Sequence, residues 1–594
     1  MNEVASLPRR INIINATLLT DLSVIALLWC ISIVIVNPVG DFPIIDDELY
    51  GPAVRTLVET GHYRPPEATM TFITNGLWGA LFCLPAGASF TALRFSTLVA
   101  SLLGLFGLYT LVRDLGQPRW LCLVVTLTLA FNPAYYAMSH SFMTDVLFAV
   151  LCIWAAIFFA RSLKSGSDLE IVLGTLLALG ATLSRQIGIA IPIAFAGALI
   201  LKRGTTWQTM LRAASPLGVC LIGLLGFYHF LAASGRLPAT YDLFSNLAIS
   251  TLTHARTLFT TPISNWYCTV VYLGLFLLPI LLCTIGGLFR SGTKGVFAVA
   301  AAGAATVVLG AVVRTHSGLS NFMPLPEGHL LRKTGIGLPW LRGPDHVPTL
   351  PEAFWVCVTV LAFIGAALLI FHISVWVLSV ARSLLHRSSM SEAEIVTLFL
   401  LSCGIILLLP FIPIRTTDRY LIACLPFFAA GTVNIPTLFS GATSGSGKSL
   451  RHGLRYGTFG LLAAFCIFAV IGTRDYLAWH RVSAEASRNL METGHVPAES
   501  IDGGTEFDFL YPAHASREDI LDRLNKLVRS RTQYFFTEQI RKQFAVIIAM
   551  GWRPSSPEYL VAFGPVPGYR VIQEYAYDNW MPRHVQKIVV LQRE

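Results

Sequence analysis

Residues 132–154 read NPAYYAMSHSFMTDVLFAVLCIW, and beyond Asp145 the chain stays apolar as far as Ala160. Such a run is either the core of a soluble helix or a stretch that lives in hydrocarbon. The choice matters for Asp145, because an ionisable group inside a bilayer costs ~2.5–3.5 kcal/mol or more and marks a functional position by default. Composition decides it. The chain has 594 residues, 54% of them hydrophobic and only 13% charged, with a mean hydropathy of +0.62; soluble domains carry about 25% charged residues. Apolar stretches expected to cross a bilayer recur at 13–36, 93–112, 120–136, 146–160, 171–183, 187–201, 213–232, 266–289, 296–313, 354–381, 395–414, 420–438 and 456–472. The first is too long for the apolar region of a signal peptide, and no A-x-A-like site follows it, so it reads as a retained helix.

The charge is unevenly placed. The last 120 residues hold 15 acidic and 14 basic side chains, more than a third of all charges in the chain. The expected organisation is therefore an α-helical polytopic membrane unit over 1–474, with thirteen crossings, and a water-facing α/β domain over 475–594. In the latter, 516–531 reads as a helix, and 545–549, 559–563 and 588–591 as short buried strands. The 11 cysteines all precede residue 475, mostly within apolar segments. No CxxC pair suggests a metal or redox site, and no cysteine is available to staple the C-terminal domain.

A net charge of +9 could suggest nucleic acid. The basic residues instead form short clusters between apolar runs: Arg9/Arg10, Arg113/Arg119, Arg161/Lys164, Lys202/Arg203/Arg212, Arg290/Lys294, Arg382/Arg387 and Lys448/Arg451/Arg455. With thirteen crossings all seven fall on one face, the cytoplasmic one by the positive-inside rule, where they meet anionic headgroups. The C-terminal domain is then extracytoplasmic. This requires that 71–86, with Asn75, Gly76, Gly79 and Pro85, be a surface or re-entrant helix. Four segments then face outward: 37–92, 138–145, 314–352 and 415–419.

The first of these contains DFPIIDDELYGPAVRTLVETGHYRPPE (41–67). Asp46, Asp47 and Glu48 are consecutive carboxylates before an expected amphipathic helix from Tyr50 to Glu59, with Val54, Leu57 and Val58 on one face. They are either an acidic turn at a helix start, where carboxylates are favoured, or a general base held at the bilayer surface. Arg185 interrupts LGATLSRQIGIAIPIAF (179–195), and Arg415 and Arg419 flank the turn in IPIRTTDRYLIACLPF (412–427). Outward arginines oppose the positive-inside bias. A phosphate ligand is one reason for them, since a guanidinium pairs with phosphate oxygens in a bidentate way; snorkelling or a local Arg419–Asp418 pair is the other.

The loop HSGLSNFMPLPEGHLLRKTGIGLPWLRGPDHVP (316–348) has the composition of a substrate cover or of a plain connector. His316, His329 and His346 match no zinc spacing. SGATSGSGKSL (440–450) places five residues, not four, between its first glycine and Gly-Lys-Ser, so it is no phosphate-binding loop.

Taken together, these residues resemble the GT-C superfamily of membrane glycosyltransferases, in the branch of the protein O-mannosyltransferases and the lipid A aminoarabinose transferase. That branch has D-E-x-x-Y in its first outer loop with a glycine eleven residues beyond the tyrosine. Asp46-Asp47-Glu48-Leu49-Tyr50 and Gly61 fit, with Asp47 standing where glutamate is usual. Pro133 with Asp145, Arg185 with Gly188 and Pro192, and Arg419-Tyr420-Leu421 with Pro426 fit three further signatures. The resemblance implies inverting transfer of a sugar from a polyprenyl-phosphate donor to a lipid, glycan or protein acceptor. It makes Asp46 the base, with Asp47 its neighbouring alternative, and Asp145 a support for base or acceptor. Arg185, Arg415 and Arg419 would hold the donor phosphate, and Glu48, Tyr50, His140 and Tyr420 would lie near the substrate. No cofactor is called for, and dependence on a divalent metal stays open. The competing reading is a transporter or lipid flippase, for which internal repeats would be expected.

Overall fold

The apolar runs fold as helices in the computed structural model. It describes residues 7–67, 69, 71–254, 258, 260–288, 297–298, 301–305, 308–309, 312, 330–385, 390–414, 416–438, 448–530 and 536–594. Backbone polar groups in a bilayer have no water to bond, so spanning segments pair their own N–H and C=O groups as helices. In chain order these are α1 (Leu7–Val36), α2 (Asp47–Thr60), α3 (Ile73–Ala86), α4 (Phe90–Asp114), α5 (Arg119–Ala130), α6 (Pro133–Ser139), α7 (Thr144–Ser165), α8 (Asp168–Ser184), α9 (Ala190–Arg203) and α10 (Trp207–Ala233). They continue as α11 (Leu243–Thr253), α12 (Thr260–Leu288), α13 (Glu352–Leu385), α14 (Glu392–Leu408), α15 (Leu425–Leu438) and α16 (Lys448–Glu492).

Among the described residues nine helices are long and apolar enough to cross a bilayer, and ten if α5 and α6, bent by 63°, form one broken span. The expected stretches 171–183 and 420–438 correspond to the shorter α8, of 17 residues, and α15, of 14. Of the expected stretch 296–313, residues 297–298, 301–305, 308–309 and 312 are described, all of them helical, and the others lie outside the described residues. α3 has 14 residues. At ~1.5 Å rise per residue it is shorter than a ~30 Å hydrocarbon core requires.

The C-terminal unit carries α17 (Thr505–Leu510), α18 (Arg517–Ser530) and α19 (Glu538–Met550). Two short strands precede it in the chain, β1 (Leu331–Arg332) and β2 (Gly335–Ile336), and β3 (Ile501–Asp502), β4 (Tyr559–Ala562), β5 (Tyr569–Trp580) and β6 (Arg583–Arg593) form a sheet in the order β3-β4-β6-β5. β3 runs parallel to β4, and the other pairings are antiparallel. Leu560, Ala562, Val589 and Leu591 are buried on one face of it.

Two expectations are corrected here. Residues 545–549, AVIIA, are not a strand but the second half of α19. Thr537 caps that helix by accepting the Ile540 N–H, and Ile540, Phe544 and Ile547 share one packed face at helical spacing; a five-residue apolar run has no period of its own to decide the matter. The boundary drawn at 474/475 falls inside α16, which runs unbroken from the apolar region into the polar unit. The unit is also stitched to the loop after residue 330: Arg342 Nε donates to Asp502 at 2.8 Å, and the Phe563 N–H donates to the Arg342 carbonyl at 2.9 Å.

Candidate active site

The site begins with a strained turn. Ile45 has φ 63°, a left-handed conformation that costs a β-branched residue about 1–3 kcal/mol and persists only where its surroundings enforce it. Ile44 and Ile45 are buried, and the entry to the turn is fixed by Arg94 of α4, whose side chain is fully buried. Its guanidinium donates to three alternate loop carbonyls, those of Pro38 at 2.6 Å, Gly40 at 3.2 Å and Phe42 at 2.7 Å. Arg94 was missed in the sequence although a signal was there: it sits at the end of α4 opposite Arg113, the same sidedness that singled out Arg185 and Arg419.

The turn sends its carboxylates in different directions. Asp46 occupies the N-cap of α2 but accepts no capping bond. Its Oδ2 instead pairs with Arg419 Nη1 at 2.7 Å, and its side chain keeps 33% exposure. Asp47 points inward, 1% exposed, accepting the Phe142 N–H at 2.7 Å and that of Ile44 at 3.4 Å. Burial pushes its carboxyl up to about 7, against the pull of Arg94. Glu48 is buried as well, and burial, then the charges of Asp46 and Glu506, push its carboxyl well above the usual range. Glu506 belongs to α17 and pairs with His480 Nε2 at 3.2 Å. The Tyr50 ring packs on Phe72, with centroids 5.2 Å apart. Gly61 ends α2 as a left-handed C-cap with φ 69°.

Asp145 opens α7, 1% exposed. Its Oδ1 accepts from Arg185 Nη1 at 2.5 Å, and its Oδ2 lies 3.6 Å from Arg419 Nε. Arg419 therefore bridges Asp46 and Asp145, and Arg185 closes a chain of two carboxylates and two guanidiniums. Burial opposes the Arg419 charge, but Asp145 and then Asp46 hold the guanidinium protonated well above its ordinary value. Asp418, its chain neighbour, does not pair with the Arg419 side chain. Its carboxylate accepts the N–H groups of Leu330 at 3.0 Å and Leu331 at 2.7 Å, fastening the loop after 329 to the site. Tyr420 lies between the cations: its ring is 5.7 Å from the Arg185 guanidinium carbon and 5.4 Å from that of Arg419, and stacks on Phe411 at 4.5 Å.

The turn after Arg185 needs Gly188, because a Cβ there would fall 2.5 Å from the Thr182 nitrogen. His140 is fully buried, its Nδ1 2.9 Å from the Tyr136 carbonyl and its Nε2 without a hydrogen-bond partner among the described residues. Arg415, His316 and His329 lie outside the described residues, and His346 is exposed on the C-terminal unit's side of the loop. Among the described residues no group of three or more His, Cys, Asp or Glu side chains is placed to hold a metal ion.

Four residues from four separate stretches, Asp46, Asp145, Arg185 and Arg419, thus meet in one polar cluster. Asp46 and Arg185 are its accessible members, with side chains 33% and 21% exposed, against 8% for Arg419. Such an arrangement can accept a proton at one end and hold an anion at the other.

Residues 76–232 match the family model described as dolichyl-phosphate-mannose-protein mannosyltransferase, a stretch that includes Asp145 and Arg185 but neither Asp46 nor Arg419. No curated protein sequence matches the chain. Among solved structures, ArnT from Cupriavidus metallidurans bound to undecaprenyl phosphate is 11% identical, with a TM-score of 0.39 over 97% of this chain and 98% of that one. The S. cerevisiae protein O-mannosyltransferase Pmt1-Pmt2 complex bound to the sugar donor is 16% identical, with a TM-score of 0.30 over 40% and 37%. The structural likenesses are loose. The chain is a polytopic helical membrane protein that resembles the GT-C glycosyltransferases, and over residues 76–232 it carries the sequence pattern of one of their families.

Proposed function

We propose that this protein transfers a sugar from a polyprenyl-phosphate donor to an acceptor hydroxyl at the outer face of the cytoplasmic membrane, with inversion at the anomeric carbon. The supporting observation is the four-residue cluster, in which the accessible Asp46 carboxylate pairs with the buried Arg419 and the accessible Arg185 guanidinium pairs with the buried Asp145, which Arg419 also approaches. Asp46 removes the acceptor proton as that oxygen attacks the anomeric carbon. The bond from that carbon to the phosphate oxygen breaks, and the leaving lipid phosphate takes the electron pair. Arg185 pairs with the phosphate, and its stabilisation grows as negative charge develops. Arg419 is a strut rather than the main phosphate ligand: it aligns Asp46 and Asp145 and adds its charge to the field. Asp145 orients Arg185. Asp47, buried and bonded to backbone, shapes the turn. The domain after α16 lies on the same outer side.

The test is native mass spectrometry of the purified protein, followed by turnover of whatever lipid is retained. A co-purified polyprenyl-phosphate sugar that is consumed on addition of acceptor supports the reading. Retention of a lipid that is moved across the bilayer but never cleaved would favour the flippase.

A further inference from the structure

A cavity of about 610 Å³, lined by none of the four cluster residues, lies between the first outer loop, the start of α4, the far end of α16 and α17. Its volume falls within the ~300–1,000 Å³ of small-molecule sites. Two of its lining residues, Pro43 and Gly51, flank the turn that carries Asp46. Its walls come half from the membrane unit and half from the C-terminal unit.

The lining has a definite chemistry. Phe42, Phe90, Phe507 and Tyr511 supply aromatic surface. Charges of both signs are present, Arg55 and Arg488 against Asp41 and Glu492, so there is no surplus cation to select a lipid phosphate. Ser487 is 2% exposed, and its hydroxyl has no hydrogen-bond partner among the described residues. A buried hydroxyl left unpaired is destabilising, and a ligand group that reached it would recover that loss. No strand lines the cavity, so an extended peptide has no edge on which to pair its backbone.

A sugar ring fits this lining. Its C–H faces stack on aromatic rings, and its rim hydroxyls both donate and accept, which suits mixed charges and an unpaired serine. We infer that this cavity binds a saccharide, the sugar end of a glycan-bearing acceptor for the transfer proposed above. It rests on that reading for its role but not for its occupancy. The C-terminal unit thereby has a task, since α16 and α17 complete the pocket.

The experiment uses the full chain in lipid nanodiscs, free of sugar-headed detergent. Amide hydrogen exchange is followed over 484–492 and 505–511 with a panel of neutral disaccharides at millimolar concentration. Dodecyl phosphate and a serine/threonine-rich peptide are tested beside them. At least one disaccharide is expected to slow exchange in both segments. Ser487→Ala should weaken that protection about three- to tenfold, the worth of one hydrogen bond, and Ala484→Trp, which fills the space, should abolish it. Asp46→Asn should leave the protection intact, so loss of turnover in that variant tests the transfer reading separately. Protection by the alkyl phosphate or the peptide alone, protection by none of the three, or protection unchanged in Ser487→Ala and Ala484→Trp would overturn the inference.

Discussion

Asp46 and Asp47 are neighbours in the chain yet sit in different media, one reaching solvent and an arginine, the other sealed against backbone N–H groups. That difference has a pH signature. Burial lifts the Asp47 carboxyl from 3.8 to about 7, so between those values the folded chain keeps a proton that the unfolded chain has released. Stability from this residue is complete below the unfolded value and is lost as pH rises through the folded one. Asp47→Asn mimics the protonated form and keeps an acceptor for the Phe142 N–H. The stability of the variant relative to wild type should therefore climb between pH 4 and pH 7, as read by chemical denaturation in detergent; a difference that stays flat with pH contradicts this. The two arginines should also part company. Removing one partner of a buried ion pair typically costs ~3–5 kcal/mol, so Arg419→Ala, which takes the Arg419 pair from Asp46 and leaves the buried Asp145 with Arg185 alone, should lower the melting temperature sharply. Arg185→Ala should melt closer to wild type but lose donor affinity, seen as weaker retention of the labelled donor lipid.

At the scale of elements, legibility followed the length of the pattern. Long apolar runs gave the helices, and the heptad-like spacing of Ile520, Leu524 and Leu527 gave α18, observed as Arg517–Ser530. The run at 545–549 was too short to reveal its period. β5 went unseen because its side chains are mostly exposed along Tyr569–Trp580, and the alternation that brings Tyr575 and Tyr577 onto the core covers only its second half. Asp145, Arg185 and Arg419 could be found one by one because charge in an apolar flow is conspicuous. Their meeting could not be read, since the partners lie 40 residues apart for Asp145 and Arg185 and 373 apart for Asp46 and Arg419. Arg94 is the instructive omission. It fastens the first loop through three backbone carbonyls, each of which would lose a buried donor in Arg94→Met at ~1–3 kcal/mol. Limited proteolysis should then cut within 37–67 many times faster than in wild type, while helical circular dichroism is retained. Unchanged cleavage would mean that the buried isoleucines hold the turn by themselves.

For the whole molecule the central issue is sidedness. The cluster brings the first loop, the start of α7, the end of α8 and the turn at Asp418–Ala423 to one end of the bundle, and the seven basic clusters argue that the other end is cytoplasmic. Reporter fusions should place Lys448 inside and both Glu67 and Asp508 outside; Asp508 in the cytoplasm would move the whole site to the wrong face. The most direct test lies in the chemistry itself. Loss of a general base typically costs ~10²–10⁴-fold in rate, and Asp46→Asn keeps the side-chain shape while removing the proton acceptor. Turnover of a labelled polyprenyl-phosphate sugar by purified Asp46→Asn should fall by that factor with donor retention unchanged, while Asp47→Asn keeps most of its activity. Near-full turnover in Asp46→Asn, whatever Asp47→Asn does, would contradict the account.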